Sequence, residues 1–246
     1  MTWSPGCLLR TSIMNKKEKL LSLYDILPFH EHPLWQAILK GDLSLEQILD
    51  AEIQHFLRTN AGQSLRKEAV EKARASSAEL FEALIETYLE ECSSQKGGVS
   101  HLDLIRRLLV TNGVSDAELL AATPTAGNAA SIALYKDISS RGAACHILGA
   151  GAVEHFYSKL SPHVYQAYCE IYNMTDDQAE TYRIHGPMDK VHADRAFSIL
   201  DLAIDTHGWD VIEQSVRDAF VATSLHYDGM FQAATGILQY WDGRSC

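Results

Sequence analysis

The stretch TYRIHGPMDKVHADRAF, residues 181–197, carries the most informative pattern in this chain of 246 residues. His185, Asp189 and His192 follow one another at intervals of four and three residues, which is the spacing of neighbours on one face of an α-helix. At about 100° per residue, the three side chains fall within an arc of about 60°. The stretch therefore predicts a helix that directs two imidazoles and one carboxylate toward a single spot.

Two imidazoles and a carboxylate on one helix face match the ligands that first-row transition metals prefer, non-heme iron in particular. An exposed polar stripe would give the same pattern, so both interpretations stay open on this motif alone. Gly186 and Pro187 follow His185 and predict that a helix begins or kinks there, because proline has no N–H to donate. A kink would displace His185 from the arc, which makes the Asp189–His192 pair the firmer part of the prediction.

Apolar residues recur at intervals of three and four along most of the chain, whereas alternating strand patterns closed by Asn-Gly or Asp-Gly turns are nearly absent. The sequence therefore predicts an all-α protein with prolines between its helices or at their starts. We expect one domain, a bundle of seven or more helices over residues 15–246, after a loose leader at residues 1–14 in which Met14 is a candidate start. The predicted helices cover residues 16–26, 34–40, 44–60, 64–92 with a break near Ser76 and Ser77, 100–111, a short segment after Ser115, 129–140, 142–160, 162–172, 176–184, 187–206 and 209–240.

Composition and charge exclude several classes of protein. A chain with 46% apolar and 22% charged residues is typical of folded globular proteins, and a net charge of −11 would repel nucleic acid. No segment approaches the length of a membrane-spanning helix or a secretion signal, and the five cysteines include no CxxC pair. The expected protein is cytoplasmic, with a small-molecule substrate and no nucleic-acid or membrane partner, and a homodimer is a candidate assembly.

The order of motifs along roughly residues 25–240 resembles the heme-oxygenase-like superfamily, and within it the diiron oxidases and oxygenases. The H-x3-D-x2-H motif at residues 185–192 is the most specific part of the resemblance. The other motifs are HPLW at 32–35, EIQHFLRT at 52–59, Glu90-Glu91 followed by His101, and AVEHFYSKLSPHVYQAY at 152–168. The resemblance implies a seven-helix bundle that holds a non-heme dinuclear iron centre for the activation of O2.

Six metal ligands are implied by this resemblance at the matching positions, with Glu90 as an alternative to its neighbour Glu91. They are Glu91, His101, Glu154, His185, Asp189 and His192. Some members of the family use a further carboxylate, for which the open candidates are Glu52, Glu68, Glu71 and Glu86. The implied cofactor is a pair of Fe(II) ions with O2 as co-substrate. The implied reaction is N-oxygenation or oxidative C–C cleavage of a small, amino-acid-derived metabolite in natural product biosynthesis.

Three alternatives remain open. Glu52 and His55 have the i, i+3 spacing of ferritin-like ligands and would pair with Asp189 and His192, although His55 is more simply a buried histidine bonded to a neighbouring helix. A metal-free relative of the thiaminase type or of the cofactor-free oxidase of quinone synthesis would lack the full ligand set; for the former, the cysteines to consider are Cys92 and Cys145. A helical binding protein that only stores metal is the third.

Two further features of the sequence make predictions about packing and binding. The GAGA run at residues 149–152 follows no strand, so it predicts a close approach of two helices rather than a nucleotide-binding turn. Three arginines, Arg58, Arg183 and Arg195, are candidates for clamping a substrate carboxylate, although each is also consistent with a surface position.

Overall fold

The computed structural model describes residues 14–93 and 99–244. Within these ranges the regular structure is helical throughout, which confirms the all-α prediction, and two short 3-10 helices cover Ser22–Ile26 and Phe29–Glu31. The predicted leader lies outside the described residues except for Met14, as does most of the loop predicted at 93–100. The α-helices are α1 (Lys16–Leu21), α2 (Pro33–Lys40), α3 (Leu45–Ser76), α4 (Ala78–Cys92), α5 (His101–Thr111), α6 (Asp116–Ala121), α7 (Ala126–Arg141), α8 (Ala143–Glu170), α9 (Glu180–Ser198), α10 (Leu200–His207) and α11 (Trp209–Thr235).

Two serine caps fix the starts of the helices that carry the first candidate ligands. The predicted break near Ser76 and Ser77 is confirmed, because Ser77 is extended and its hydroxyl accepts a hydrogen bond from the Leu80 N–H to begin α4. Ser100 likewise accepts a hydrogen bond from the Asp103 N–H and begins α5. As a result α4 carries Glu90 and Glu91 near its end, and α5 opens with His101.

The predicted interruptions at Pro162 and Pro187 are wrong, since α8 and α9 both continue through their prolines. The Pro162 ring packs against Gly186, where an added Cβ would lie 3.1 Å from Pro162 Cγ. In the turn before Pro187, the buried Ser161 hydroxyl donates to the Tyr182 carbonyl at 2.6 Å. The two helices are thus in contact beside Pro162 and Gly186, and His185 stays on the same helix as Asp189 and His192.

Other helix limits also differ from the prediction. The interruption predicted between residues 60 and 64 is absent, because this segment has no proline and one glycine, Gly62, costs a helix only about 1 kcal/mol. The first predicted helix passes into a 3-10 helix after Leu21. The helix predicted over 187–206 is divided at Ile199, and α11 ends at Thr235 because Gly236 has a left-handed backbone with φ of 71°.

Small residues let the central helices approach one another closely. An added Cβ at Gly149 would lie 3.1 Å from Ala219 Cβ of α11, and one at Gly151 would collide with Ala196 Cβ of α9. The close approach predicted from the GAGA run is therefore confirmed, and α8 is held between α9 and α11. Among the described residues, no helix is both long and apolar enough to cross a lipid bilayer.

Candidate metal centre

Six side chains from α4, α5, α8 and α9 form two adjoining groups of potential metal ligands in the interior of the bundle. Within each group, one nitrogen or oxygen atom of every residue lies within 4.8 Å of the others. The first group is Glu91, His101 and His185, and the second group is Glu154, Asp189 and His192. All six residues that the family resemblance implied are thus brought together. The sequence pattern suggested one shared spot for the last three, but His185 belongs to the first group and the other two to the second.

Glu91 lies between the two groups. Its Oε1 atom is 3.5 Å from His185 Nε2 in the first group and 3.7 Å from His192 Nδ1 in the second. His192 Nδ1 is in turn 3.8 Å from Glu154 Oε1. The Glu91 carboxylate is therefore within reach of both groups, and it could help to hold an ion in either.

Three buried atoms in these groups have no hydrogen-bond partner among the described residues: His185 Nε2, Asp189 Oδ2 and His192 Nδ1. Unpartnered buried polar atoms are uncommon in native proteins, and each one calls for a physical explanation. Here all three belong to residues of the two groups, and imidazole nitrogens with carboxylate oxygens are the ligands that iron and similar ions accept. The residues present therefore fit a pair of transition-metal ions.

The hydrogen bonds of two imidazoles orient their free nitrogens toward the groups. His185 Nδ1 donates to the Thr181 carbonyl, and His192 Nε2 lies 3.1 Å from Glu90 Oε2. Metal-binding histidines typically donate their other ring N–H to a carbonyl or carboxylate in this way. Glu90 is itself held by the Arg195 guanidinium at 2.9 Å. Of the two neighbouring acids, Glu91 therefore lies within a ligand group and Glu90 positions His192 from outside it.

Carboxyl groups outnumber arginines in this interior. Burial alone would raise the pKa of Glu91, but Arg66, which donates to its Oε2 at 2.8 Å, and His101 hold that pKa well below its ordinary value. Burial raises the pKa of Glu154, and it raises that of Asp189 well above the usual range. Arg66 Nη2 is farther from Glu154, at 3.9 Å from its Oε1 atom. Without a metal ion, burial thus favours the uncharged forms of Glu154 and Asp189, whereas bound cations would favour their charged forms.

Histidine protonation in the first group differs between its two members. Burial, together with the charge of His185, lowers the pKa of His101 to about 3, so its imidazole is neutral near pH 7 and has a lone pair to offer a metal. Burial also opposes protonation of His185, but the neighbouring carboxylates of Glu91 and Asp189 raise its pKa to about 9. Metal binding at His185 therefore displaces a proton.

The ferritin-like alternative is wrong, because Glu52 and His55 satisfy one another and lie outside both groups. The fully buried Glu52 accepts hydrogen bonds from Tyr168 at 2.5 Å and from Tyr182, and His55 Nδ1 lies 3.0 Å from its Oε2. His55 is buried as predicted, but its partner is on its own helix rather than on a neighbour. Of the other candidate carboxylates, Glu68 is exposed and paired with Lys72, Glu71 is exposed, and Glu86 belongs to neither group.

Two cavities border the ligand groups. The first, which we call the aromatic cavity, has a volume of about 80 Å³ and is walled by residues of both groups together with Trp35, Arg58, Tyr157, Thr223 and Tyr227. The second has a volume of about 350 Å³ and meets Glu91, His101 and His185 of the first group; its apolar wall is formed by Leu89, Val99, Leu104, Ile184 and Met188. The first group is therefore approached from two directions.

Sequence reasoning missed several residues that shape the site. Arg66 lies two turns along α3 from the quoted EIQHFLRT motif, and the hydroxyls that satisfy Glu52 belong to Tyr168 and Tyr182 on two other helices. Arg66 has no distinguishing neighbours in the sequence. The cysteines proposed as nucleophiles, Cys92 and Cys145, are free, and burial raises the pKa of both thiols, which disfavours the reactive thiolate.

The fold and the site define an all-helical protein with a buried carboxylate and imidazole centre suited to transition metals. The chain belongs to the family of iron-containing redox enzymes, whose model matches residues 69–226. The matched segment includes both ligand groups. No curated protein sequence matches the chain.

Solved structures at 14–16% identity show that the fold is heme-oxygenase-like. A CadD-like protein of unknown function from Nostoc punctiforme is 16% identical, with 91% of this chain and 97% of that one covered and a TM-score of 0.72. A domain of unknown function with a heme oxygenase-like fold from Shewanella denitrificans is 14% identical, with coverages of 90% and 94% and a TM-score of 0.70. A TenA family transcription regulator from a Silicibacter species is 14% identical, with coverages of 90% and 97% and a TM-score of 0.63.

Proposed function

We propose that this protein is a cytoplasmic non-heme diiron oxidase or oxygenase that uses O2 to oxidise a small, amino-acid-derived metabolite. The observation that supports the proposal is the pair of adjoining ligand groups, with three unpartnered buried atoms among their six residues. Membership of an iron-containing redox family supplies the choice of metal. The reaction class is N-oxygenation or oxidative C–C cleavage, as expected for an enzyme of natural product biosynthesis.

In this proposal Glu91, His101 and His185 hold one iron ion, Glu154, Asp189 and His192 hold the other, and Glu91 lies between them. When bound, two Fe(II) ions supply electrons for the reduction of O2. The residues of the chain set the conditions for that chemistry. Thr181 and Glu90 orient His185 and His192, and Arg66 keeps Glu91 ionised. The aromatic cavity places an organic substrate beside the ligands and shields it from bulk water.

Iron loading tests this proposal directly. The protein, freed of metal by a chelator, is titrated anaerobically with Fe(II), and we expect about two ions to bind per chain, one for each ligand group. Exposure to O2 should then change the visible absorption, and one class of small metabolite should accelerate O2 uptake. A protein that takes up no iron, or whose oxidation no small metabolite affects, would contradict the proposal.

Substitution of Glu90 by glutamine is expected to weaken iron binding without removing a ligand. Glutamine can still accept a hydrogen bond from His192 but lacks the negative charge that raises the basicity of its ring, and changes to such outer partners typically weaken metal affinity about 10- to 100-fold. Competition with a coloured chelator measures the affinity. The matched control is Glu82→Gln, which makes the same change at an exposed position of the same helix and should leave iron affinity unchanged. Equal affinities in the two variants would show that Glu90 does not position His192.

A further inference from the structure

The aromatic cavity is lined by residues with polar atoms that have no hydrogen-bond partner in the described part of the chain. Trp35 Nε1 and Thr223 Oγ1 both lie in residues that line this cavity, and both atoms are buried and unpartnered. The two residues are only 1% and 2% exposed, so bulk water does not satisfy them. Because buried donors are nearly always paired in native proteins, a bound molecule with acceptor oxygens would complete this wall.

Arg58 adds a positive charge to the same wall. It lies on α3 and also borders a third cavity of about 80 Å³, which is lined by Thr59, Gly62 and Tyr135 among others. Arg58 Nε donates to the Ser131 hydroxyl at 3.3 Å, and the guanidinium lies 5.0 Å from the centre of the Tyr135 ring. Neither partner carries a negative charge, and no carboxylate of the described residues forms a salt bridge with Arg58.

The other arginines considered for substrate binding are already engaged by acids. Arg183 pairs with Glu180 at 2.8 Å, and Arg195 pairs with Glu90 at 2.9 Å. Arg66, which also lines the aromatic cavity, pairs with Glu91 at 2.8 Å. Among these four arginines, the structure leaves Arg58 with a guanidinium edge available to a ligand. A guanidinium presents two parallel N–H donors that match the two oxygens of a carboxylate.

We infer that the aromatic cavity binds an organic carboxylate, and that Arg58 holds its carboxyl group while Thr223 and Trp35 donate hydrogen bonds to the same molecule. The acidic residues lining this cavity, Glu91, Glu154 and Asp189, all belong to the ligand groups. The positive charge of Arg58 attracts an anion to the part of the wall that lies outside those groups. The inference rests on the proposed function, because it assigns the class of substrate for the same site.

Binding of paired ligands tests the inference on the unaltered protein. The iron-loaded protein is kept anaerobic and offered amino acids, 2-oxo acids and fatty acids, each beside its own carboxamide, and binding is measured by equilibrium dialysis. We expect at least one acid to bind about 10- to 100-fold more tightly than its carboxamide, as for a hydrogen bond to a charged group. The inference is overturned if no acid in the panel binds, or if acid and carboxamide bind equally.

Two arginine variants then locate the site. Arg58→Gln should weaken binding of the acid about 10- to 100-fold and leave binding of the carboxamide nearly unchanged, whereas Arg58→Lys should retain part of the preference. Arg74 is the matched control, since it lies on the same helix above the ring of Phe81 but is exposed and outside these cavities. Arg74→Gln should bind the acid normally. Equal affinities in Arg58→Gln and Arg74→Gln would overturn the assignment of Arg58.

The outcomes separate this inference from the proposed function. Iron content is measured on every sample, so a protein that binds no iron but prefers the acid through Arg58 contradicts the diiron proposal alone. A protein that binds two irons but does not distinguish acid from carboxamide contradicts the assignment of Arg58 alone. The comparison of acid with carboxamide uses the unaltered chain. It therefore tests whether the protein binds an organic carboxylate even if the Arg58→Gln variant does not fold.

Discussion

Replacement of Asp189 by alanine is expected to abolish iron binding in the second group and to raise the stability of the iron-free protein. Asp189 is 2% exposed, one of its oxygens has no partner, and burial raises its pKa well above the ordinary value. Without a metal this carboxyl group is therefore a cost to folding, and its removal should stabilise the iron-free protein by about 1–3 kcal/mol. With iron, the same substitution removes a ligand and should abolish O2 consumption.

Two measurements on the same samples check this prediction. Urea unfolding after treatment with a chelator gives the free energy of unfolding, and metal analysis after anaerobic loading gives the iron content. Asp194→Ala is the matched control on α9, because Asp194 is exposed and paired with Lys190 and Lys17. It should retain full iron content and lose at most about 1 kcal/mol. An Asp189→Ala protein that still binds two irons, or that is less stable than the control when iron-free, would contradict the role given to Asp189.

Gly151→Ala is expected to separate the two central helices and to disturb the second ligand group. The added methyl group would collide with Ala196 Cβ, which belongs to a short side chain that has no freedom to move aside. Relief therefore requires α8 and α9 to shift, at a cost of about 1–3 kcal/mol. Because α8 carries Glu154 and α9 carries Asp189 and His192, the shift should also weaken iron binding.

The same substitution at another glycine provides the control with the opposite expected sign. Gly62 is also in a helix, and an added Cβ there meets nothing within 4 Å. Gly62→Ala should therefore stabilise the protein by about 0.5–1 kcal/mol, since alanine favours the helix. Thermal and urea unfolding of both variants measure the difference. If Gly151→Ala were as stable as Gly62→Ala, the close contact of α8 and α9 would not control the geometry of the site.

The two ligand groups are expected to lower the stability of the metal-free protein. Three carboxyl groups and three histidines occupy interior positions of the bundle, and Arg66 pairs closely with only one of those carboxyl groups, Glu91. The cost in folding free energy is expected to be largest at Asp189, where a buried carboxyl oxygen has no hydrogen-bond partner among the described residues. Such a site is consistent with selection for function at the expense of the iron-free fold.

The sequence by itself determined the helical class and most of the helices, because apolar spacing and serine caps act within a few residues. Ser77 and Ser100 are examples, since each begins a helix through a bond to its own neighbours. The family resemblance supplied the six candidate ligands, and the structure gathers them. The choice between Glu90 and Glu91 remained open, because adjacent residues on a helix differ only in the direction they face.

Only the tertiary structure decided which element faces which. It showed that α8 and α9 continue through Pro162 and Pro187, and that Pro162 packs against Gly186 of α9. It also divided the H-x3-D-x2-H motif between two ligand groups and placed Arg58 beside the aromatic cavity, with no salt bridge to a described carboxylate. These facts depend on distances between residues far apart in the chain. Local spacing fixes the direction of a side chain around its own helix, whereas packing fixes what that side chain meets.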